Sequence, residues 1–248
     1  MQDQVVVITG ASGGIGAALA ELLGSRGAWL VLVARREDAL RAVVSRCQGR
    51  AHAVVADVTG RDEVRRVVRE GLGRFGHIDV WVNNVGQGIT RSPSQLTDDD
   101  IDAMMRINVK TALYGIQEVL PHFKERGTGQ VVNISSMLGR IPLAPFRSAY
   151  TASKHYLNAL TASFRTEVQQ THPDIQFSLV SPGVVRTEFG RNALHGGPDS
   201  RQLPNSQSVE EVAEVIAGVI ESRRPDVYTS KGAHDRVVGY FGSIGTDP

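Results

Sequence analysis

Tyr150 and Lys154 stand four residues apart in Tyr150-Thr151-Ala152-Ser153-Lys154, and Ser135-Ser136 lies a short way upstream. On a helix, positions i and i+4 share a face, so the phenol and the ammonium would point into one cleft. A free tyrosine, with a pKa of about 10, is a sluggish acid–base group at neutral pH, and a nearby ammonium favours its phenolate. A phenol tuned toward neutrality can protonate a carbonyl oxygen as hydride arrives, or deprotonate an alcohol in reverse. Ser136 is suited to hold the same oxygen by a neutral hydrogen bond. The spacing alone does not decide the matter. A half-buried Tyr150 with its hydroxyl on water is the competing reading.

A second group of residues suits a phosphate. In Thr9-Gly10-Ala11-Ser12-Gly13-Gly14-Ile15-Gly16 the glycines allow a tight turn, close approach of backbone to a diphosphate, and close helix–strand packing. A helix beginning there offers free N–H groups and a partial positive charge. An ordinary turn is the alternative, and placement between a buried strand and a helix favours the phosphate. A carboxylate about 20 residues further on would select NAD, whereas Arg there suits the 2′-phosphate of NADP. The chain has Ala34-Arg35-Arg36-Glu37 at that place. Two guanidinium groups can fork onto a phosphate, so NADP(H) is the expected cofactor. Exposed arginines with Glu37 on the ribose are the other possibility. Asp57 and Val58 would close over the adenine.

These residues need a frame. Short β-branched runs alternate with helical patterns, the signature of βαβ units. Val5 to Ile8 is a continuous apolar run, as expected of a strand covered on both faces. Further strands are expected at 28–34, 51–56, 80–83, 130–134, 176–180 and an edge strand at 227–229. Helices are expected at 15–25, 37–47, 61–74, 98–124 and 150–170. Thr97 would cap the fourth of these, with Asp98, Asp99 and Asp100 at its positive end. Ser208-Val209-Glu210-Glu211 reads as a capping box opening a last helix. The polar stretch from Thr187 to Gln207 is long for a connection, and is read as a lid over a site or a surface loop. The fold expected is a doubly wound Rossmann-type three-layer α/β/α sandwich with a central parallel sheet, in a single domain.

Composition narrows the class. At 248 residues with 41% hydrophobic content, one large α/β domain with a sizeable core is affordable. A formal net charge of +1 suggests neither nucleic acid nor membrane as partner. No apolar run approaches the roughly 18 residues needed to span a bilayer. Met1-Gln2-Asp3-Gln4 leads straight into the first strand without a signal-like pattern, so a soluble cytoplasmic protein is expected. Cys47 is the lone cysteine and cannot form an intrachain disulfide. No metal site is expected.

With these motifs in order, the chain resembles the short-chain dehydrogenase/reductase family from about Gln4 to about Val227. The family's glycine-rich turn matches Thr9, Gly10, Gly14, Ile15 and Gly16, and its Asn-Asn-Ala-Gly motif appears as Asn83-Asn84-Val85-Gly86. Its mid-helix Asn matches Asn108, its serine Ser136, its Tyr-x-x-x-Lys Tyr150 and Lys154, and its Pro-Gly-to-Thr segment Pro182, Gly183 and Thr187. The resemblance implies Tyr150 as acid–base, Ser136 as carbonyl anchor, and Lys154 as ribose ligand and Tyr150 tuner. It implies that Asn108 holds a water linking Lys154 to solvent, although a purely local role in a helix bulge is equally open. Gly10, Ser12, Gly13, Gly14, Ile15 and Gly16 would cradle the diphosphate. Asn84, Val85 and Gly86 would meet the adenosine side, and Pro182, Gly183, Val185 and Thr187 the carboxamide. Val85 departs from the family's small Ala, and the interval from Ser136 to Tyr150 is one residue longer than usual. The extra residue would fall in 140–147, at the substrate mouth.

The expected activity is a ketone or aldehyde reductase, or secondary alcohol dehydrogenase, working with NADP(H) on a small-molecule substrate. A catalytically silent NADP(H)-binding regulator and a 3-oxoacyl reductase are the alternatives. Leu138, Ile141, Pro142, Val184, Phe189 and Leu194 are candidate walls, with Gln87 and Gly88 opposite. Arg147, Arg191 and Arg201 are candidates for an acidic substrate tail, against the commoner fate of solvated arginine. A homodimer or homotetramer is expected through the two long helices. Only one of Ser135 and Ser136 can reach the site, since neighbours on a strand face opposite ways.

Overall fold

The computed structural model describes residues 1–245. Val5, Val7 and Val6, Ile8 alternate along the first strand, and both faces are buried because each carries an apolar layer. That strand, β1 (Val5–Thr9), leads through the glycine turn to α1 (Gly14–Ser25). Then come β2 (Trp29–Ala34), α2 (Glu37–Ser45), β3 (Ala51–Val55), α3 (Arg61–Phe75) and β4 (Val80–Asn83). Next are α4 (Asp98–Met105), a π turn (Arg106–Lys110), α5 (Thr111–Arg126) and β5 (Gly129–Ile134). The chain closes with α6 (Ser148–Gln169), β6 (Ile175–Ser181), α7 (Val209–Ser222), β7 (Asp226–Tyr228) and α8 (Ala233–Gly242).

All seven strands are parallel, in the order β3-β2-β1-β4-β5-β6-β7. Val6 and Ile8 face Leu19 and Leu23 of α1, Leu40 of α2 and Ile216 of α7. Val5 and Val7 face Val64 and Val67 of α3, Ile116 and Phe123 of α5, and Val168 of α6. The result is the doubly wound three-layer sandwich that the alternating pattern predicts. The strand order reverses between β1 and β4, and in open α/β sheets ligands bind at the carboxyl ends beside such a switch point.

Two helices differ from the sequence expectation. The stretch 98–124 is not one helix: the wide turn at Arg106–Lys110 divides it, and the second half runs on through Pro121 to Arg126. The terminal helix α8 was not expected at all. Its Ala233 and Val237 pack on Met137 and Ile141, so its signal was an i, i+4 apolar pair. The capping boxes at Thr97 and Ser208 both form. Among the described residues no helix is long and apolar enough to cross a membrane.

Candidate active site

The glycine turn is shaped by its backbone. Gly10 and Gly14 have φ of 68° and 55°, a region that side chains disfavour. A Cβ on Gly16 would run into the Gly10 carbonyl and the Asn84 amide, so α1 can seat against the turn only with glycine there. The helix starts without a side-chain cap on Gly13, which leaves its first N–H groups available. Asn84, at the end of β4, donates its side-chain amide to the carbonyls of Thr9 (3.1 Å) and Gly10 (3.3 Å). Its backbone N–H is held by the Thr9 hydroxyl, so Asn84 fastens the turn to β4. Val85 packs its Cγ2 beside Gly10. Ile15 is a packing residue against the core.

Arg36 reaches back over this turn, with Nη2 3.3 Å from both the carbonyl and the hydroxyl of Ser12. Arg35 stays largely exposed, 3.9 Å from Asp57. Glu37 is engaged by Arg41 at 2.6 Å, one turn down its own helix. Asp57 caps a local turn through the N–H of Thr59, and Val58 is buried behind it. On the far side, Thr187 lays its methyl 3.3 Å from the Cβ direction of Gly14. Val185 is buried and bridges to Gln207, the Pro182 carbonyl accepts from the N–H of Met137, and Gly183 follows beside Ser230.

At the end of β5 the two serines separate. The Ser135 hydroxyl donates to Asn158 (2.5 Å), whose amide is fixed by the Gly139 carbonyl. Ser136 turns the other way, accepts from the N–H of Leu138 (3.1 Å), and sits beside Tyr150. Asn158 is a positioning residue that the sequence did not single out. Nothing in its local pattern marks it.

Tyr150 and Lys154 do share one face of α6, and both are buried. The Lys154 ammonium lies 5.8 Å from the Tyr150 ring centroid and donates to the Ile134 carbonyl at 2.9 Å. The expected tuning runs the other way in the free protein. Burial pushes the Tyr150 phenol up to about 12, against the opposing Ser136 hydroxyl and Arg147 guanidinium. Burial likewise pushes Lys154 down to about 8. Desolvation outweighs charge here because both side chains are buried and the ammonium lies 5.8 Å from the ring centroid. At neutral pH the pair is a neutral phenol beside an ammonium.

Asn108 occupies the middle of the π turn and is 1% exposed. It accepts from the N–H of Gln87 (2.8 Å) and donates to the Gln87 carbonyl (3.0 Å) and the Ser153 hydroxyl (3.1 Å). Gly86 separates its carboxamide from the Lys154 ammonium, since a Cβ there would lie 3.3 and 3.5 Å from them. The bulge thus brings the Asn108 carboxamide up to Gly86, across from Lys154.

The segment 187–207 crosses the cleft. Ile89 bridges Leu194, and Phe189 meets the Tyr150 ring edge-on at 5.5 Å. His195 hydrogen-bonds buried Asp100 at 2.7 Å, and Arg91 pairs with the same carboxylate. These two partners hold the Asp100 carboxyl well below the usual range. This tether was not read from the sequence, where Asp100 served only the helix start. Of the candidate walls, Ile141 is not one: it is fully buried beneath α8. Leu138, Phe189 and Leu194 do gather around Tyr150. Among the described residues no cluster of His, Cys, Asp or Glu could hold a metal.

A parallel doubly wound sheet with a glycine turn at its switch point and a Ser-Tyr-Lys face beside it defines a nucleotide-dependent oxidoreductase architecture. Residues 4–196 match the family described as short chain dehydrogenase, and the chain belongs to that family. An uncharacterized oxidoreductase of Staphylococcus saprophyticus is 36% identical over 194 residues, covering 75% of this chain and 80% of the relative. The crystal structure of a short-chain dehydrogenase from Streptomyces avermitilis superposes with a TM-score of 0.85 at 30% identity, covering 98% of this chain and 93% of that one. A metagenomic short-chain oxidoreductase in complex with NADP gives 0.76 at 32% identity, covering 92% and 97%. Short-chain dehydrogenase/reductase chemistry with a nicotinamide nucleotide is therefore the activity of this chain's family.

Proposed function

We propose that this chain is an NADP(H)-dependent reductase of ketones or aldehydes, reversible toward secondary alcohols. The observation that carries the reading is the convergence of Ser136, Tyr150 and Lys154 beside the glycine turn, with Tyr150 held in its neutral, proton-bearing form. The cradle fits the cofactor: it has glycines of positive φ, an uncapped helix start, and guanidinium groups at the end of β2. When bound, the nicotinamide supplies the hydride. Ser136 donates a hydrogen bond to the substrate carbonyl oxygen, and Tyr150 hands its hydroxyl proton to the same oxygen. Lys154 spends one of three ammonium donors on Ile134, which leaves two for ribose hydroxyls. Asn108, between Gln87 and Ser153, holds the helix turn behind Lys154 and stands where a relay water would be bound.

NADP(H) over NAD(H) is supported by Arg36 lying on Ser12 and by the exposed Arg35, while Glu37 is turned away toward Arg41. The related metagenomic oxidoreductase was solved with NADP. Segment 187–207 acts as the substrate lid, tethered by His195 to Asp100. A homodimer or homotetramer through α5 and α6 is the assembly we expect. The test is loss of NADPH absorbance against a panel of ketones, aldehydes and quinones, repeated with NADH. Faster turnover with NADPH supports the reading, and a clear preference for NADH defeats the cofactor choice.

A further inference from the structure

Three arginines stand around the mouth of the cleft, and the structure sorts them. Arg191 is taken by Glu188 at 3.1 Å, and Arg201 by Asp199 at 2.6 Å, both at exposed positions. Arg147 is different. It is 8% exposed, and among the described residues no carboxylate comes within ion-pair distance of it. Among the described residues its guanidinium makes one hydrogen bond, from Nη1 to the Ile89 carbonyl at 3.2 Å. A guanidinium has five N–H donors and cannot shed its charge, so a buried one with a single carbonyl partner is costly unless something else meets it.

The surroundings say where that partner would come from. A Cβ on Gly88 would lie 2.6 Å from Arg147 Nη1 and 3.1 Å from the Phe189 ring, and Phe189 in turn abuts Tyr150. The guanidinium is thus one ring away from the proton donor. On its other side, Gly197 sets a second edge: a Cβ there would meet Nη2 at 3.1 Å and the Thr90 hydroxyl at 2.8 Å. That Thr90 hydroxyl is buried and has no hydrogen-bond partner among the described residues. A cation and an orphaned hydroxyl therefore meet at the Gly197 backbone, whose Cβ direction also points at the Gly190 carbonyl (2.7 Å), next to the apolar cluster in which Leu138, Phe189 and Leu194 pack around Tyr150. Burial disfavours the Arg147 charge, opposed by Tyr150, and no carboxylate among the described residues pairs with it.

We propose that Arg147, assisted by Thr90, anchors the carboxylate of an oxo acid whose apolar body lies against the apolar side chains around Tyr150. A planar fork matches a carboxylate in two-point fashion. A single guanidinium balances one negative charge, which favours a carboxylate over a doubly charged phosphate. The proposal rests on the reading that Tyr150 faces the substrate carbonyl, and it narrows the substrate from any ketone to one bearing an acid group.

The test is made on Tyr150→Phe loaded with NADPH, so that binding is read without turnover. Benzoylformate, benzoylpropionate and benzoylbutyrate, which differ in the spacing of ketone and acid, are titrated calorimetrically beside their methyl esters. At least one acid should bind about tenfold more tightly than its ester, the usual scale for a hydrogen bond to a charged group. Adding Arg147→Met should abolish that preference, Arg147→Lys should keep part of it, and Thr90→Val should reduce it severalfold. The proposal is overturned if no acid outbinds its ester, or if Arg147→Met weakens acid and ester in parallel, as a strut holding Ile89 would. If the parent enzyme oxidises NADPH with no carbonyl compound at all, the reductase reading falls, yet the acid-to-ester ratio still reports on Arg147.

Discussion

Ser135 and Ser136 illustrate how one residue step decides function. Adjacent strand positions point apart, so the Ser135 hydroxyl is consumed by Asn158 while Ser136 faces Tyr150. Ser136→Ala should lower kcat/KM about a hundredfold, the scale of losing one donor to a developing oxyanion. Ser135→Ala should cost far less, and equal losses in steady-state kinetics would contradict the assignment. Tyr150, Lys154 and Ser136 were legible in the sequence because residue type and i, i+4 spacing are local properties. The direction in which the Tyr150 phenol moves was not. It depends on burial by Phe189, which lies 39 residues away along the chain. For the same reason Arg147 read like any solvated arginine until its surroundings were known.

At the level of elements, strands and the helices that follow them were legible wherever apolar periodicity was strong. The start of β1, all of β4, the Thr97 cap and the Ser208 capping box fall where expected. The π turn was legible only as the helix bulge that the family resemblance left open at Asn108, because Arg106–Lys110 carries no Pro or Gly to announce a break. Its cause is the wedge formed by Asn108 between Gln87 and Ser153. Helix α8 was missed because its apolar face is narrow and matters only against Met137 and Ile141. The junction of β1 and α1 yields a test. Gly16→Ala forces a methyl group into the Gly10 carbonyl and the Asn84 amide, so α1 must withdraw from the turn. Overpacking of this kind typically costs about 1–3 kcal/mol. NADPH affinity, read by fluorescence titration, should fall about tenfold if one such unit is lost from the cradle. Unchanged affinity would show that the turn does not need that close approach.

Across the whole molecule, strand order could not be read from the sequence, yet it is what brings Gly10, Asn84, Ser136 and Tyr150 to one edge of the sheet. Global stability carries a signature of that convergence. The Lys154 pKa falls from 10.5 to about 8 on folding, so the unfolded chain binds the extra proton between those values. Stability contributed by this group is therefore lowest below pH 8 and rises as pH climbs toward 10.5. The raised Cys47 thiol acts oppositely above pH 9.0, so the parent is best compared with Lys154→Met, which retains Cys47. Denaturation of the cofactor-free protein should show the parent gaining on Lys154→Met across that window, and parallel curves would refute the buried ammonium. The most direct measurement concerns the proton itself. Tyr150→Phe and the parent are compared for NADPH oxidation with the same carbonyl substrate, cofactor binding being checked alongside. The variant should bind NADPH and lose turnover about a thousandfold, within the range set by general acid catalysis. Turnover equal to the parent's would mean that the proton comes from elsewhere.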